Sequence, residues 1–89
     1  MTSESVAMFQ DAANRAKQFR RRPTDDELLQ LYALYKQAVV GKCNVPKPGM
    51  FAFKERAKHS AWEALGAMPS EEARRRYIVY VNQLVQRYG

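Results

Sequence analysis

The chain has 89 residues, 46% of them apolar and 27% charged, a composition ordinary for a globular protein and unlike that of a disordered one, and it reads as one domain over residues 1–89. Fifteen Lys and Arg against nine Asp and Glu leave a formal charge of +6, so anionic partners are favoured: phosphorylated small molecules, nucleic acid or acidic membrane surfaces. The single cysteine, Cys43, excludes an internal disulfide; with no signal-peptide core and no run approaching ~20 apolar residues, the expected home is the cytoplasm.

The first predicted helix runs from about Ser5 to Phe19, with Phe9, Ala12, Ala13, Ala16 and Phe19 as a narrow apolar stripe whose small residues allow close packing. Arg20, Arg21 and Arg22 follow, cations at a helix C-terminus before the break at Pro23, and they read as a solvated helix end.

Thr24 and Glu27 form a capping box that opens the second helix, and Asp25 and Asp26 add negative charge at the positive end of its dipole. Leu28, Leu31, Tyr32, Tyr35 and Val39 recur at the spacing of one buried stripe. Tyr32 and Lys36 stand one turn apart, a phenol and an ammonium within reach of one ligand group. The helix is expected to stop near Val40, with Gly41 as a left-handed cap.

Lys42 to Met50 carries two prolines and a glycine and is long for a link in a small bundle. It is either a crossover between helices that are not antiparallel neighbours or a plain spacer. A third helix is expected over Phe51–Leu65, with Phe53, Ala57, Ala61, Trp62 and Leu65 on its apolar face and Lys54 and Lys58 one turn apart. After Gly66, a capping Ser70 with Glu71 and Glu72 opens a fourth helix, whose stripe is Ala73, Tyr77, Val81, Leu84 and Tyr88 and which carries a second arginine run, Arg74 to Arg76. The fold class is all-α: four helices around one core.

Little in the chain supports catalysis. There is one histidine, His59, and no zinc-protease, nucleophile-elbow or glycine-rich phosphate motif. Cys43 and His59 lack an orienting acid, so no enzyme, metal or cofactor is expected. The positive signal is a set of lysines and tyrosines on three helices, Tyr32, Lys36, Lys54, Lys58 and Tyr77, which suits a phosphorylated nucleotide. The plain alternative is solvated lysines and tyrosines that belong to the core.

The run Tyr32-Ala33-Leu34-Tyr35-Lys36-Gln37-Ala38, with Gly41, Asn44, Lys47-Pro48-Gly49-Met50, Phe53-Lys54 and Arg56-Ala57-Lys58 after it, resembles the signature of the acyl-CoA-binding protein family. The resemblance implies an up-down-down-up four-helix bundle with a long crossover between helices 2 and 3. It implies non-catalytic, non-covalent binding of one long-chain fatty acyl-CoA by a monomer, for transport, buffering and pool formation, with acyl-CoA-using enzymes or membranes as transient partners and no nucleic acid. By the same resemblance, Tyr32, Lys36 and Lys58 would hold the 3′-phosphate and adenine, Tyr35, Lys54 and Tyr77 would complete the cleft, and Lys17 would stand near its rim. Phe9, Ala12, Ala13 and Met50 would wall the acyl chain.

Three positions depart from the family pattern. His59 stands where tryptophan is usual and is expected to border the cleft, while Lys42 and Ala52 replace acids and raise the positive charge around the crossover. The rival reading is a basic protein-interaction or nucleic-acid-binding module that has lost acyl-CoA binding.

Overall fold

The computed structural model describes residues 3–89. Among them are four helices and no strand: α1 (Ser3–Arg15), α2 (Asp25–Val39), α3 (Phe53–Glu63) and α4 (Ser70–Tyr88). None of these helices is long and apolar enough to cross a membrane. The capping box at α2 forms as expected: the Glu27 N–H donates to Thr24 Oγ1 at 3.1 Å, and the Thr24 N–H donates to Glu27 Oε1 at 2.9 Å. Gly41 takes φ +98°, the left-handed geometry that lets its N–H reach back to the Gln37 carbonyl at 3.0 Å.

Helix ends differ from the sequence expectation in three places. α1 stops at Arg15, four residues before Phe19, and the chain turns so that the Phe19 ring can meet Tyr88 at 6.5 Å, edge to face. α3 starts at Phe53, after Ala52, whose side chain offers no cap. Ser70 is the first residue of α4 rather than its cap, and its hydroxyl donates instead to the Gln37 carbonyl of α2, at 3.1 Å.

The side-chain contacts set the helix directions. Phe9 of α1 meets Tyr77 of α4, and Phe19, past the end of α1, meets Tyr88 at the end of α4, so these two helices run the same way. The start of α4 touches the end of α2 through Ser70 and Gln37, while Arg87 and Tyr88 at its end reach Glu27 at the start of α2. These two are therefore antiparallel. Lys58 lies over Tyr32 and, one turn on in both helices, Lys36 lies over Trp62; α2 and α3 are parallel. The result is an up-down-down-up four-helix bundle. A 15-residue helix is ~22 Å long, and a parallel successor forces the chain to retrace that distance. Residues 40–52 do so, which makes the proline-rich stretch a crossover and not a spacer.

α4 packs on α1 and α2, and α2 packs on α4 and α3. The core joins Ala12 of α1, Leu31, Leu34 and Ala38 of α2, and Ala73, Tyr77, Val81 and Leu84 of α4. The expected stripe of α4 is thus the buried one, with Tyr88 at its edge. On α2 the buried arc is rotated from the expected stripe. Ala33, Leu34, Gln37 and Ala38 are inside with Leu31, while Val39 is 57% exposed. Apolar residues occur on every side of this helix, so periodicity alone could not choose the face.

Both ends of α2 are fastened to α4. At the C-terminal end, Gln37 is fully buried, and its Nε2 donates to the carbonyls of Gly66 (3.0 Å) and Met68 (2.7 Å) just before α4. At the N-terminal end, Glu27 accepts from the Tyr88 hydroxyl (2.5 Å) and pairs with Arg87 (2.6 Å). Those bonds, the Tyr88 hydroxyl foremost and the Thr24 N–H next, hold the Glu27 carboxyl down at about 2. The folded value lies below the ordinary one of 4.5, so the stabilisation is fully present above that pH and disappears as pH falls through about 2. We expect the melting temperature of the wild type to drop across this window. Glu27→Gln should melt lower than the wild type at pH 7 and vary less between these two pH values; parallel curves for the two proteins would remove Glu27 from this role.

Candidate functional site

The acids and bases of this chain are paired unevenly. Among the described residues every ion pair belongs to an arginine: Arg15 with Asp11, Arg22 with Asp25, Arg75 and Arg76 with Glu72, and Arg87 with Glu27. Lys17, Lys36, Lys42, Lys47, Lys54 and Lys58 have no carboxylate partner among the described residues, and no Asp or Glu occurs between Glu27 and Glu55. Two of these lysines are nonetheless held in place. Lys58 Nζ lies 5.4 Å from the centre of the Tyr32 ring, and Lys36 Nζ lies 5.1 Å from the Trp62 ring. Because Tyr32 and Lys36 are one turn apart on α2, as Lys58 and Trp62 are on α3, the two contacts are reciprocal rungs across one seam. A cation–π contact orients an ammonium without neutralising it. The seam therefore presents two positioned positive charges beside an aromatic face.

Next to this seam, on the α1 side of α2, three rings form a cluster. Tyr35 stacks on Phe9 at 5.5 Å, and Tyr77 meets both, at 5.2 Å from Phe9 and 5.8 Å from Tyr35. Tyr35 is 39% exposed and Tyr77 only 4%. Burial first, and Tyr35 second, push the Tyr77 phenol up to about 12, so it stays neutral in this apolar setting. Tyr77 is the floor of the cluster and Tyr35 its open edge.

The remaining expected residues are more scattered. Lys54 is exposed one turn before Lys58 on α3, and Lys17 is exposed in the turn that follows α1. Ala12 is fully buried in the core and cannot wall a ligand, whereas Ala13 is only partly buried. Met50 is 71% exposed on the crossover.

His59 is the clearest correction. It is 5% exposed and faces the crossover, with Nε2 2.9 Å from the Val45 carbonyl. A carbonyl can only accept, so Nε2 carries the proton, and the buried Nδ1 has no hydrogen-bond partner among the described residues. His59 is one of three stitches from α3 to the crossover backbone. Trp62 Nε1 donates to the Gly41 carbonyl at 2.8 Å, and Arg56 Nη1 donates to the Pro48 carbonyl at 3.1 Å. The Cys43 thiol also approaches the Val45 carbonyl, at 4.0 Å. With its Nε2 proton directed at that carbonyl, the imidazole is not set up as a base for the thiol. The double role of Trp62, ring under Lys36 and N–H on the crossover, was hidden from periodicity, which marked it only as apolar.

Two surface grooves lie elsewhere. One of about 750 Å³ separates α1 from α4 and is lined by Glu4, Met8, Glu71, Glu72, Arg74 and Ile78 among others; one of about 340 Å³ lies between α2 and α4 at Leu34, Arg76 and Tyr80. The larger one sets three carboxylates against the two guanidinium groups of Arg74 and Arg75 on its walls, so it offers a polyanion no surplus of positive charge. The open lysine–aromatic seam is the better setting.

The sequence and the fold both have known counterparts. The family described as acyl CoA binding protein matches over residues 6–81. The acyl-CoA-binding protein of Dictyostelium discoideum is 40% identical over 84 residues, which are 94% of this chain and 100% of that protein. Enoyl-CoA delta isomerase 2 of Rattus norvegicus is 47% identical over 76 residues, but these are 85% of this chain and 19% of the isomerase, so the likeness concerns one segment of it. The crystal structure of acyl-CoA-binding protein 2 from Oryza sativa superposes with a TM-score of 0.89 at 37% identity, covering 93% of this chain and 92% of that one.

The role found for His59 has a measurable consequence. His59→Phe keeps a buried ring and removes the bond to Val45, which should lower stability by ~1–3 kcal/mol in urea melts. It should also raise amide exchange along the crossover. Unchanged stability and exchange would show that the Val45 contact holds nothing.

Proposed function

Because the chain belongs to the acyl-CoA-binding protein family, we propose that it binds one long-chain fatty acyl-CoA as a monomer in the cytoplasm, without chemical turnover, and serves to carry, buffer and pool that ligand. The observation that carries this reading is the pair of unneutralised ammonium groups, Lys36 and Lys58, seated against aromatic rings on the seam between α2 and α3. A CoA head group has a 3′-phosphate, a diphosphate and an adenine, and it needs positive charge that is not already paired together with flat apolar surface.

In this reading Lys36 and Lys58 hold phosphate oxygens, and Tyr32, already beneath an ammonium, offers its edge and hydroxyl to the adenine ribose. Lys54 extends the charge by one turn, and Lys17 approaches from the turn after α1. The Phe9, Tyr35 and Tyr77 cluster gives the thioester end an apolar surface, with Tyr77 supporting Tyr35 from below. Binding strength comes from both halves of the ligand, since each buried methylene contributes ~0.8 kcal/mol and each charge-assisted phosphate bond ~1.5–3 kcal/mol.

Calorimetry with palmitoyl-CoA, CoA, palmitate and a DNA oligomer tests the reading. One-to-one binding of palmitoyl-CoA orders of magnitude tighter than of the other three is expected, and equal affinity for palmitoyl-CoA and palmitate would defeat the proposal. Two substitutions separate site from scaffold. Lys36→Ala should weaken palmitoyl-CoA binding by ~1.5–3 kcal/mol with little change in stability. Leu31→Ala, at a position 6% exposed, should cost ~2–5 kcal/mol of stability. Normal binding by Lys36→Ala would detach that residue from the ligand.

A further inference from the structure

Among the described residues, three polar side chains are buried: Gln37, His59 and Arg74. Gln37 and His59 bond to backbone carbonyls, whereas Arg74 makes no hydrogen bond and no ion pair with any described residue. Arg74 is 9% exposed, belongs to α4, and lines the groove of about 750 Å³ between α1 and α4. Arginine ordinarily covers its stem and keeps its head in open water. Here little of that water remains, and a forked, permanently charged donor without an acceptor is costly to bury.

The groove has a direction. Because α1 and α4 are parallel and meet at Phe9 and Tyr77, Met8 stands with Ile78 and Val79 at one end, Met8 51% and Val79 48% exposed. Glu4 and Glu71, one to two turns earlier on the same helices, stand at the other end. Neither has an ion-pair partner among the described residues, while Glu72 is taken by Arg75 and Arg76. Arg74 lies between the ends. From Glu71 to Val79 is ~12 Å along α4, about two turns, so the groove matches a cation, a carboxylate and apolar bulk in that order, about one turn apart. A small amphiphile would leave much of the two half-exposed side chains wet. A helix laid along the groove covers both walls and presents its groups at that spacing.

We propose that the groove between α1 and α4 docks an amphipathic helix of a partner protein, with an acidic side chain of that helix on Arg74. Its apolar residues cover Met8, Ile78 and Val79, and a lysine or arginine reaches Glu4 and Glu71. The partner runs antiparallel to α1 and α4, because its basic end is then its C-terminus, where the dipole favours a cation, and its acid precedes its base. In chain order the partner reads apolar, acidic, basic. This groove shares no residue with the Lys36 and Lys58 seam or with the Phe9, Tyr35 and Tyr77 cluster, so its use does not require a bound acyl-CoA.

The probe is a stapled, alanine-rich peptide of ~18 residues, long enough to stay helical, carrying two leucines on one face, a glutamate one turn later and a lysine one turn after that. Titrated into the full chain labelled with nitrogen-15, it should move the amide signals around Met8, Arg74, Ile78 and Val79 and leave those of Lys36 and Lys58 in place. Replacing the peptide's glutamate by glutamine, or Arg74→Met in the protein, should each weaken binding ~10-fold. Glu71→Lys should weaken it ~3-fold, and a peptide with glutamate in place of its lysine should recover that loss. Affinity for palmitoyl-CoA should be the same in both variants as in the wild type. Absence of shifts in the groove, shifts at the seam instead, or binding indifferent to both Arg74→Met and Glu71→Lys would overturn the proposal. So would dodecanoate filling the groove through Arg74 where the peptide does not, which would give the site to a small amphiphile. Groove signals that move with protein concentration alone would give it to a second copy. A wild type that binds the peptide but not palmitoyl-CoA would refute the proposed function and support the docking groove.

Discussion

α2 is pinned to α4 at both ends, and the rest of the bundle is arranged around that clamp. At one end the Glu27 carboxylate gathers the Thr24 N–H, the Tyr88 hydroxyl and the Arg87 guanidinium; at the other the buried Gln37 amide and backbone receive α4's approach. Between the pins, Leu31, Leu34 and Ala38 meet Ala73, Tyr77, Val81 and Leu84. The segment after α1 closes the same end: the Arg20 and Arg21 N–H groups donate to the Gly89 and Tyr88 carbonyls, and the Arg21 side chain donates to the Arg87 carbonyl. These are the last carbonyls of a helix, which would otherwise depend on water. The Arg20 to Arg22 run is therefore more than a solvated helix end.

With one side of α2 committed to α4, its other side is free to form the seam with α3. The division of labour between the two basic residue types follows from their chemistry. Guanidinium groups fork onto carboxylates, and the arginines here occupy those partners. The lysines are left as point charges, two of them steadied by aromatic rings that cannot cancel their charge. In a basic protein of +6, five of the six lysines, Lys36, Lys42, Lys47, Lys54 and Lys58, thus stand on α2, the crossover and α3.

The crossover has a problem of its own, since thirteen residues without helix or strand must satisfy their backbone carbonyls. α3 supplies the donors. Arg56, His59 and Trp62 take the carbonyls of Pro48, Val45 and Gly41 in turn. The order is reversed along the chain because the crossover runs back beside a helix that continues forward. This explains how histidine serves at position 59: what the position requires is a ring that fills space and a nitrogen that donates, and imidazole supplies both.

Residues whose role is local could be read from the sequence. The Thr24 and Glu27 capping box, the left-handed Gly41, the four helices and the buried stripe of α4 depend on neighbours within a turn or two, and the signature around Tyr32 to Lys58 pointed to the family. The crossover's length hinted at parallel helices without deciding between a return path and a spacer. Only the tertiary structure decided which side of α2 is buried, because that helix is apolar nearly all round and the choice rests on where α4 lies. It likewise decided that Ser70 bonds to α2 and not to its own helix, that Gln37 is buried, that Tyr77 lies beneath Tyr35, and that His59 turns toward the crossover. Each of these depends on a partner between 14 and 42 residues away along the chain, and helical periodicity fixes the direction of a side chain about its own axis but not what waits there.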